Sequence, residues 1–465
     1  APLREVAEVT EFPEMLDGRV KTIHPRIAGG ILAMRSKPEH LEAIRAHGIP
    51  EIDVVCVNLY EFEKIAAKPD ATLEELIENI DIGGPTMIRA AAKNWHDVAV
   101  VTSPADYTGI VDELRANGEL SRDTLWSLAK KAFASTAAYD RAITNKLAEI
   151  PPTGDVTPVT LDIRVPRKLS LRYGENPHQH AALYSQGSGG VANAQQLQGK
   201  ELSYNNLVDM DAAWQLILEF QDRPAAAIIK HTNPCGAAEG ATLSEAYRKA
   251  LEADPVSAFG GVLAFNREID GETAEEIAKI FTEAIAAPAF HADALRVLGA
   301  KKNLRLLQVA PETPALVVKS IGGGFLAQTP DVHRLDRSSA QVKTKRAPSD
   351  QEWDALTFGW KVVKHVKSNA IVYARPGQLV STGAGQMSRI DSMRFGAMKA
   401  VLPVAGSVVA SDAFFPFPDN IEEAAKQGVT ALIQPGGSVN DAQAIEAADR
   451  LGLAMVFTGV RHFRH

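Results

Sequence analysis

A lysine and a histidine stand side by side at a point where a strand is predicted to end. Residues 225–229 (AAAII) form a short apolar run, and Lys230-His231-Thr232-Asn233-Pro234-Cys235-Gly236 follows it. Ligands bind beyond strand ends in α/β sheets, and a cation beside an imidazole suits proton transfer. The local pattern by itself favours a turn closed by Asn-Pro and Gly with a solvated lysine. An acid–base site is the alternative.

Three other segments of the second half could bind a ligand. Residues 411–420 (SDAFFPFPDN) hold three Phe and two Pro, which predicts either an aromatic shelf for a heterocycle or a packed loop. The Gly-Ala-Gly-Gln run at 383–386 favours a tight turn over a ligand loop. The terminal RHFRH, residues 461–465, favours a solvated tail. A phosphate clamp is the alternative there, because Arg binds phosphate through two bonds.

The first part of the chain carries a basic turn and several isolated polar residues. The turn, residues 18–22 (GRVKT), suits a phosphate or an oxyanion. Tyr60 follows a Val-rich run, Asp81 opens the turn Asp-Ile-Gly-Gly, and Lys93 ends a run of alanines. Each of these residues taken alone is more often structural.

Composition excludes several classes of protein. The chain has 465 residues and a formal net charge of -8, which argues against a general nucleic-acid binder. Its two cysteines make no disulfide framework and favour a reducing, cytoplasmic setting. Cys235 lacks a second Cys at zinc-ligand spacing, so we predict a buried small hydrophobe there and no metal. No apolar run is long enough to span a membrane.

The elements that must position these residues alternate between strands and helices. We predict buried parallel strands at 53–57 and 97–101, and a capping box of Thr72 with Glu75 at the start of a helix. A Pro-rich break at 151–155 separates a domain of residues 1–150 from one of 151–465. A polar linker at 335–350 divides the second domain into halves of about 151–345 and 346–465. No repeat is visible in the sequence. The remaining predicted elements are helices at 123–138, 243–253, 390–400 and 421–427 and strands at 225–229, 370–373 and 408–409.

Several long motifs, taken together, resemble one family. They are residues 12–25 (FPEMLDGRVKTIHP), 81–84 (DIGG), 89–94 (RAAAKN), 171–179 (LRYGENPHQ), 230–236, 411–420 and the terminal Arg-x-Phe-x-His. The chain is identified by them as a member of the bifunctional purine biosynthesis family, in which an AICAR transformylase is fused to an IMP cyclohydrolase. AICAR is aminoimidazole carboxamide ribotide. The resemblance runs from about Thr10 to His465.

The resemblance implies a fold class and a first reaction. It implies an α/β fold: a truncated methylglyoxal-synthase-like domain, then two cytidine-deaminase-like units without zinc. The second domain would transfer the formyl group of 10-formyltetrahydrofolate, a co-substrate, to the 5-amino group of AICAR. The implied catalytic residues are Lys230, His231 and Asn369. The implied substrate contacts are Arg172, Tyr173, Gly260, Glu283, Phe414 and Arg461, and the implied folate contacts are Pro416, Phe417 and Asn420.

The resemblance also implies ring closure to IMP in the first domain. Lys21 and Lys93 would surround the developing charge, Tyr60 and Asp81 would handle protons, and Arg19 and Thr22 would bind phosphate. Family members carry two further phosphate loops upstream of the matched motifs, and this sequence contains neither. We therefore expect a truncated first domain in which ring closure is weakened.

Two other hypotheses for the function remain open from the sequence. One is a transformylase with an inactive first domain, and the other is a purine-nucleotide-binding protein without catalysis. A zinc deaminase is disfavoured because its ligand set is missing. The expected partners are the small molecules AICAR, formyl-AICAR and folate, with no nucleic acid and no membrane. The resemblance further implies a homodimer whose transformylase sites cross the interface.

Overall fold

The structure, a computed structural model, describes residues 3–150 and 157–465. The chain separates into two compact units, Ala1–Val156 and Thr157–His465. The break predicted at 151–155 lies outside the described residues. Within the described parts of the chain, no helix is both long and apolar enough to cross a membrane.

The first unit is a small α/β structure. Its elements in chain order are α1 (Val6–Thr10), α2 (Pro25–Leu32), α3 (Pro38–Ala46), β1 (Val54–Cys56), α4 (Phe62–Ala66), α5 (Leu73–Glu78), α6 (Gly83–Lys93), β2 (Ala99–Val101), α7 (Tyr107–Asn117) and α8 (Arg122–Ala148).

The predicted strands of this unit are confirmed, because β1 pairs with β2 in parallel. The capping box is also confirmed: Thr72 accepts from the Glu75 amide, and the Glu75 carboxylate accepts from the Thr72 amide. The predicted helix at 123–138 is longer than expected and reaches Ala148. No Pro or Gly interrupts that stretch, so nothing local stops the helix. Ile31, Ile88 and Ala132 form part of the core under α6 and α8.

The second unit is built on one large mixed sheet. Its elements are β3 (Arg167–Leu171), β4 (Ala181–Tyr184), β5 (Gln195–Gln198), α9 (Tyr204–Ile217), β6 (Ala225–Lys230), β7 (Asn233–Glu239), α10 (Leu243–Ala253), α11 (Pro255–Ala258), β8 (Gly261–Phe265), α12 (Gly271–Ala278), β9 (Thr282–Ala287), α13 (Ala292–Leu298), β10 (Arg305–Gln308), β11 (Val317–Ile321), β12 (Gly324–Gln328), β13 (Gln341–Val342), α14 (Asp350–Val363), β14 (Ile371–Arg375), β15 (Gln378–Gly383), α15 (Arg389–Lys399), β16 (Val408–Ser411), α16 (Asp419–Lys426), β17 (Ala431–Gln434), α17 (Asp441–Arg450) and β18 (Ala454–Phe457).

The large sheet has 12 strands in the order β13-β18-β17-β16-β14-β15-β7-β6-β8-β9-β10-β5. Each half contains an antiparallel hairpin, β6–β7 or β14–β15. Two parallel pairs then follow, β8–β9 and β9–β10 in one half and β16–β17 and β17–β18 in the other. β7 and β15 join the halves in antiparallel orientation. The sequence predicted no repeat, but the topology repeats, because pairing and burial constrain residue type only loosely.

Two further expectations changed. The stretch at 335–350 was predicted as a linker, but it contributes β13, which pairs with β18. A two-residue strand is too short to show a period-2 pattern in the sequence. The terminal segment, for which the local pattern favoured a solvated tail, is packed: His462 is buried, and its Nδ1 donates to Asp331 Oδ2 at 2.5 Å.

Candidate active sites

One edge of the large sheet collects most of the predicted residues of the second unit. The turn between β6 and β7, the start of β8 at Gly261, the end of β15 at Gly383, the start of β14 at Ile371 and the end of β16 at Ser411 share this edge. The pair Ile229 with Val262 establishes it in the first half, and the pairs of Ile371 with Gly383 and Ser411 establish it in the second. The antiparallel pair Gln378 with Ala238 brings the two halves to the same side. Elements distant in sequence therefore deliver their polar ends to one place, which we call the reaction edge.

Lys230 ends β6 with its ammonium held by backbone. Its Nζ donates to the carbonyl oxygens of Phe259 and Gly260, each at 3.0 Å. Gly260 has φ +66, and its amide donates to the Phe281 carbonyl at 2.8 Å. An ammonium has three N–H donors, so two fix its position and one remains for a ligand at the reaction edge.

His231 sits at the tip of the β6–β7 hairpin in a left-handed conformation. His231 has φ 51 and Thr232 has φ 61, values that cost a non-glycine residue on the order of 1–2 kcal/mol each. Its side chain is exposed. The Thr232 amide donates to Asp209 Oδ1 at 2.7 Å, so a neighbouring helix, α9, holds the turn.

Asn369 is held by hydrogen bonds on both ends of its side-chain amide. Its Nδ2 donates to the carbonyls of Gln386 and Met387 at 2.9 and 3.2 Å, and its Oδ1 accepts from Arg389 Nη2 at 2.8 Å. Arg389 in turn forms a buried ion pair with Asp412. Sequence reasoning missed Arg389 and Asp412 as site residues. Asp412 lies inside the aromatic segment 411–420, which was the one local signal for it.

The aromatic segment combines exposed rings with buried anchors. Phe414 and Phe417 are exposed by 37% and 58%, whereas Phe415 between them is fully buried. The Phe415 amide donates to Gln434 Oε1 at 3.0 Å, and Pro416 accepts from Asn440 Nδ2 at 2.7 Å. Asn420 is buried at the start of α16, and its Oδ1 has no hydrogen-bond partner in the described parts of the chain. The segment is therefore a packed loop that presents two exposed aromatic rings, so both predicted interpretations apply to it.

Glu283 also lies at the reaction edge, at the start of β9. Its Oε2 accepts from Arg305 Nη1 at 2.8 Å. Arg172 and Tyr173 follow β3 and stack with the guanidinium 5.4 Å from the ring centre. They follow a strand of the separate two-stranded sheet of β3 and β4, so the large sheet does not position them.

The terminal residues reach the reaction edge through Arg464. Its amide donates to Ser368 Oγ at 3.1 Å, and its carbonyl accepts from the Ser368 amide at 2.9 Å. Arg461 is exposed, with its guanidinium 4.3 Å from the Phe463 ring centre. The segment that carries Arg461 is therefore fixed beside Asn369.

A buried polar layer lies behind this edge. His365 Nε2 donates to Glu219 at 3.2 Å, and His365 Nδ1 accepts from Arg464 at 3.1 Å. Burial lowers the pKa of His365 to about 4 although Glu219 opposes the shift, so this imidazole is neutral. Burial raises the pKa of Glu219, but the hydrogen bonds from His365 and Lys364 and the charge of Lys364 outweigh it and hold that pKa below its ordinary value. Because His365 is neutral, we take Lys364, 2.9 Å from the carboxylate, as the main compensating charge.

In the first unit, the basic turn meets the start of α6. Lys21 pairs with Glu14 at 2.8 Å, and that carboxylate raises the pKa of Lys21 above its ordinary value. The Thr22 hydroxyl packs against Gly83, and Asp81 Oδ1 accepts from the Gly84 amide at 2.8 Å. This arrangement joins a cationic turn to a helix N-terminus, a favourable place for an anion.

The other predicted residues of this unit do not all lie together. Arg19 and Tyr60 lie apart from Lys93, which stands at the far end of α6. Arg19 pairs with Glu78, and exposed Tyr60 lines a shallow cleft with Lys64, Lys68 and Asn79. Lys93 instead is the last of the 11 residues of α6, so it lies roughly 15 Å along the axis from Gly83 at about 1.5 Å per residue. It lines a cleft with Trp95, Trp126 and Phe133.

The chain is similar to known proteins over its whole length. A family model described as the AICARFT/IMPCHase bienzyme matches residues 91–399, and one described as an MGS-like domain matches residues 1–86. The protein named "Bifunctional purine biosynthesis protein PurH" from Parvibaculum lavamentivorans is 55% identical over 482 residues, which cover 100% of this chain and 89% of that protein. A solved structure titled "Crystal structure of ForH" is 36% identical, covers 30% of this chain and 74% of that chain, and superposes with a TM-score of 0.27, too low to bear on the fold.

Proposed function

The chain belongs to the AICARFT/IMPCHase bienzyme family, and from that premise we propose which of its residues carry the two reactions. The protein acts in de novo purine biosynthesis: it formylates AICAR and cyclises formyl-AICAR to IMP. The folate that donates the formyl group is a co-substrate. The observation that supports the residue assignment is the shared sheet edge of Lys230, His231 and Asn369.

Formyl transfer needs a base for a weak nucleophile. The 5-amino nitrogen of AICAR attacks the formyl carbon of 10-formyltetrahydrofolate, and His231 accepts the proton that this nitrogen loses. Lys230 donates its third N–H to the oxyanion that forms. The bond from the formyl carbon to folate N10 then breaks, and N10 takes the proton that His231 accepted, with the Lys230 ammonium helping this protonation. Formyl-AICAR and tetrahydrofolate leave. Asn369 is hydrogen-bonded at both ends of its side-chain amide, and we assign it the part of orienting the His231 imidazole or the formyl oxygen.

The remaining contacts follow from the arrangement of charges and rings. Phe414, Pro416 and Phe417 offer apolar surface for the flat rings of folate and imidazole, and the unpaired Asn420 Oδ1 supplies a buried acceptor. For AICAR, we assign the phosphate to Arg172, Tyr173 and Arg461, and the ribose to Glu283 with the Gly260 backbone.

Ring closure is intramolecular, so positioning supplies much of its rate. The carboxamide nitrogen attacks the formyl carbon and water leaves. We assign the phosphate to Arg19 and Thr22, charge stabilisation to Lys21, and proton transfer to Tyr60 and Asp81. Lys93 lies at the far end of α6, so we assign it no contact with the charge that Lys21 stabilises.

A two-signal assay tests these assignments. One signal follows tetrahydrofolate release from 10-formyltetrahydrofolate with AICAR, and the other follows IMP formed from pre-made formyl-AICAR. His231→Ala should lower only the first signal, by about 100-fold or more, and Lys21→Met should lower only the second. Each variant is the matched control for the other.

Three outcomes would contradict the assignments. Folded protein that binds AICAR but gives neither signal would favour the nucleotide-binding alternative. Loss of both signals in either variant would mean that the change disturbs the whole chain. Full formyl transfer in His231→Ala would remove this residue from the mechanism.

We also propose a homodimer. Among the residues that the structure describes, the ribbon of β11 and β12 pairs with no other strand, yet it exposes Val317, Ile321, Phe325 and Leu326. An isolated two-stranded ribbon is marginally stable in water, so a second copy is the simplest cover for these side chains. Sedimentation equilibrium should give a dimer, and Phe325→Glu with Leu326→Glu should shift the mass toward the monomer. A wild-type monomer at micromolar concentration would contradict this proposal.

A further inference from the structure

Asn233 joins the two halves of the reaction edge. Its Nδ2 donates to the His231 carbonyl at 3.2 Å, and its Oδ1 accepts from the Lys367 amide at 3.0 Å. His231 belongs to the first half of the large sheet, whereas Lys367 is two residues before Asn369 in the second half. A single side chain therefore fixes the separation of the two segments that carry the proposed base and the proposed orienting amide.

The His231 turn needs such support. A two-residue hairpin turn with positive φ at both positions is normally built from Asn and Gly, and here His231 and Thr232 occupy those positions. Thr is β-branched, so a left-handed conformation is unusual for it. Strained residues of this kind persist only where the surroundings determine them.

Two side chains supply those surroundings from opposite sides. Asn233 bonds the His231 carbonyl, and Asp209 of α9 accepts from the next amide, that of Thr232, at 2.7 Å. The peptide group between His231 and Thr232 is thus hydrogen-bonded at both its carbonyl and its amide, while the imidazole stays exposed. The constraint acts on the backbone and leaves the ring open to substrate.

From these contacts we infer that Asn233 and Asp209 are positioning residues for formyl transfer. They hold the His231 turn in its left-handed form and at a set distance from Asn369. Neither residue touches the reacting atoms. The inference rests on the proposed role of His231, and it adds two residues whose part is to set where that imidazole stands.

The test compares four single variants with wild type and with His231→Ala by tetrahydrofolate release. The turnover number is expressed per AICAR-binding site, counted by calorimetric titration, so that unfolded protein does not enter it. Asn233→Ala and Asp209→Ala should lower kcat by about 10- to 100-fold, the cost of a misplaced catalytic group, while KM for AICAR changes by less than about threefold. Asp209→Asn should stay close to wild type, because its amide oxygen can still accept from Thr232.

Asn266→Ala is the matched control. Asn266 holds the opposite end of β6, where its Oδ1 accepts from the Ala225 amide at 2.8 Å and its Nδ2 donates to Phe220 and Arg223, both at 2.7 Å. Its loss should lower thermal stability and leave kcat per binding site unchanged. The comparison distinguishes a residue that only stabilises the fold from one that fixes the conformation of the His231 turn.

The outcomes distinguish this inference from the function beneath it. If His231→Ala loses turnover while Asn233→Ala keeps kcat within about twofold of wild type, the positioning role is wrong and the function stands. An equal fall of kcat in Asn266→Ala would also overturn it. If His231→Ala itself retains turnover, the proposed function fails and takes this inference with it.

Discussion

At the residue scale, charge behind the reaction edge makes stability depend on pH. His365 is buried between Glu219 and Arg464 and stays neutral in the folded chain, with its pKa lowered from 6.5 to about 4. The unfolded chain takes up a proton on this imidazole below about pH 6.5, whereas the folded chain takes it up only near pH 4. The unfolded state therefore binds more protons in that window, and stability falls as the pH drops through it.

We predict that His365→Gln removes most of this dependence. Gln cannot be protonated but can still donate to Glu219. Between pH 7 and pH 4 the wild type should lose on the order of 2 kcal/mol more unfolding free energy than the variant. Urea unfolding at pH 7, 5 and 4 measures the difference. Parallel pH profiles would mean that His365 does not carry this effect.

Sequence reasoning reached some of these residues and not others, for a physical reason. The strand-end position of Lys230 and His231 was visible locally, although the pattern alone favoured a plain turn there. Asn369 came only from family resemblance. Arg389, Asn233 and His365 were missed because their importance lies in hydrogen bonds to residues far along the chain. Such partners become neighbours only after the sheet forms.

At the element scale, close backbone contact explains one glycine of the run 383–386. A Cβ on Gly383 would lie 1.7 Å from the Ser392 carbonyl oxygen of α15. That helix begins at Arg389, which holds Asn369. The neighbouring Gly385 has φ +69, and the nearest atom to a Cβ there is 4.0 Å away. The two glycines therefore serve different needs, close packing and backbone conformation.

We predict that Gly383→Ala destabilises the protein by more than about 2 kcal/mol and also slows formyl transfer, because α15 must shift. Gly385→Ala should cost only about 1 kcal/mol, the price of its left-handed backbone. Urea denaturation with a folate-release assay measures both quantities. Equal stabilities for the two variants would contradict the proposed contact with α15.

Helices with strong end signals were the elements that the sequence predicted best. The capping box at Thr72 was found, and the helix predicted at 243–253 has those bounds in the structure. The misses include α9 and α14, although both helices begin with a capping box that the sequence shows. They also include β13, which has two residues, and the C-terminal ten residues of α8, which depend on packing partners rather than on local pattern.

At the scale of the whole molecule, the chain has separate cores in separate units. Leu76 is fully buried with Phe62 and Tyr139 in the first unit, and Ile228 is fully buried in the second. Units with their own cores unfold independently unless a large apolar interface couples them. The sequence predicted a division, but it could not predict that the second unit repeats one topology on a continuous sheet.

We predict two transitions in calorimetric melting. Leu76→Ala should cost about 2–5 kcal/mol of unfolding free energy and should shift only one transition. Thermal inactivation of IMP formation should occur at the temperature of that transition. Ile228→Ala should shift the other transition, and thermal inactivation of formyl transfer should shift with it. A single transition moved by both variants would mean that the two units unfold as one.

The large sheet ends on β5 at one side and on β13 at the other. These strands have four and two residues, and both run antiparallel to their neighbours. In β5, the Gln196 side chain donates to the carbonyls of Gln198, Gly199 and Lys200. Short, polar outer strands offer little template for another chain to extend. A sheet this wide would otherwise risk growing into fibrils, and its borders give it resistance to aggregation.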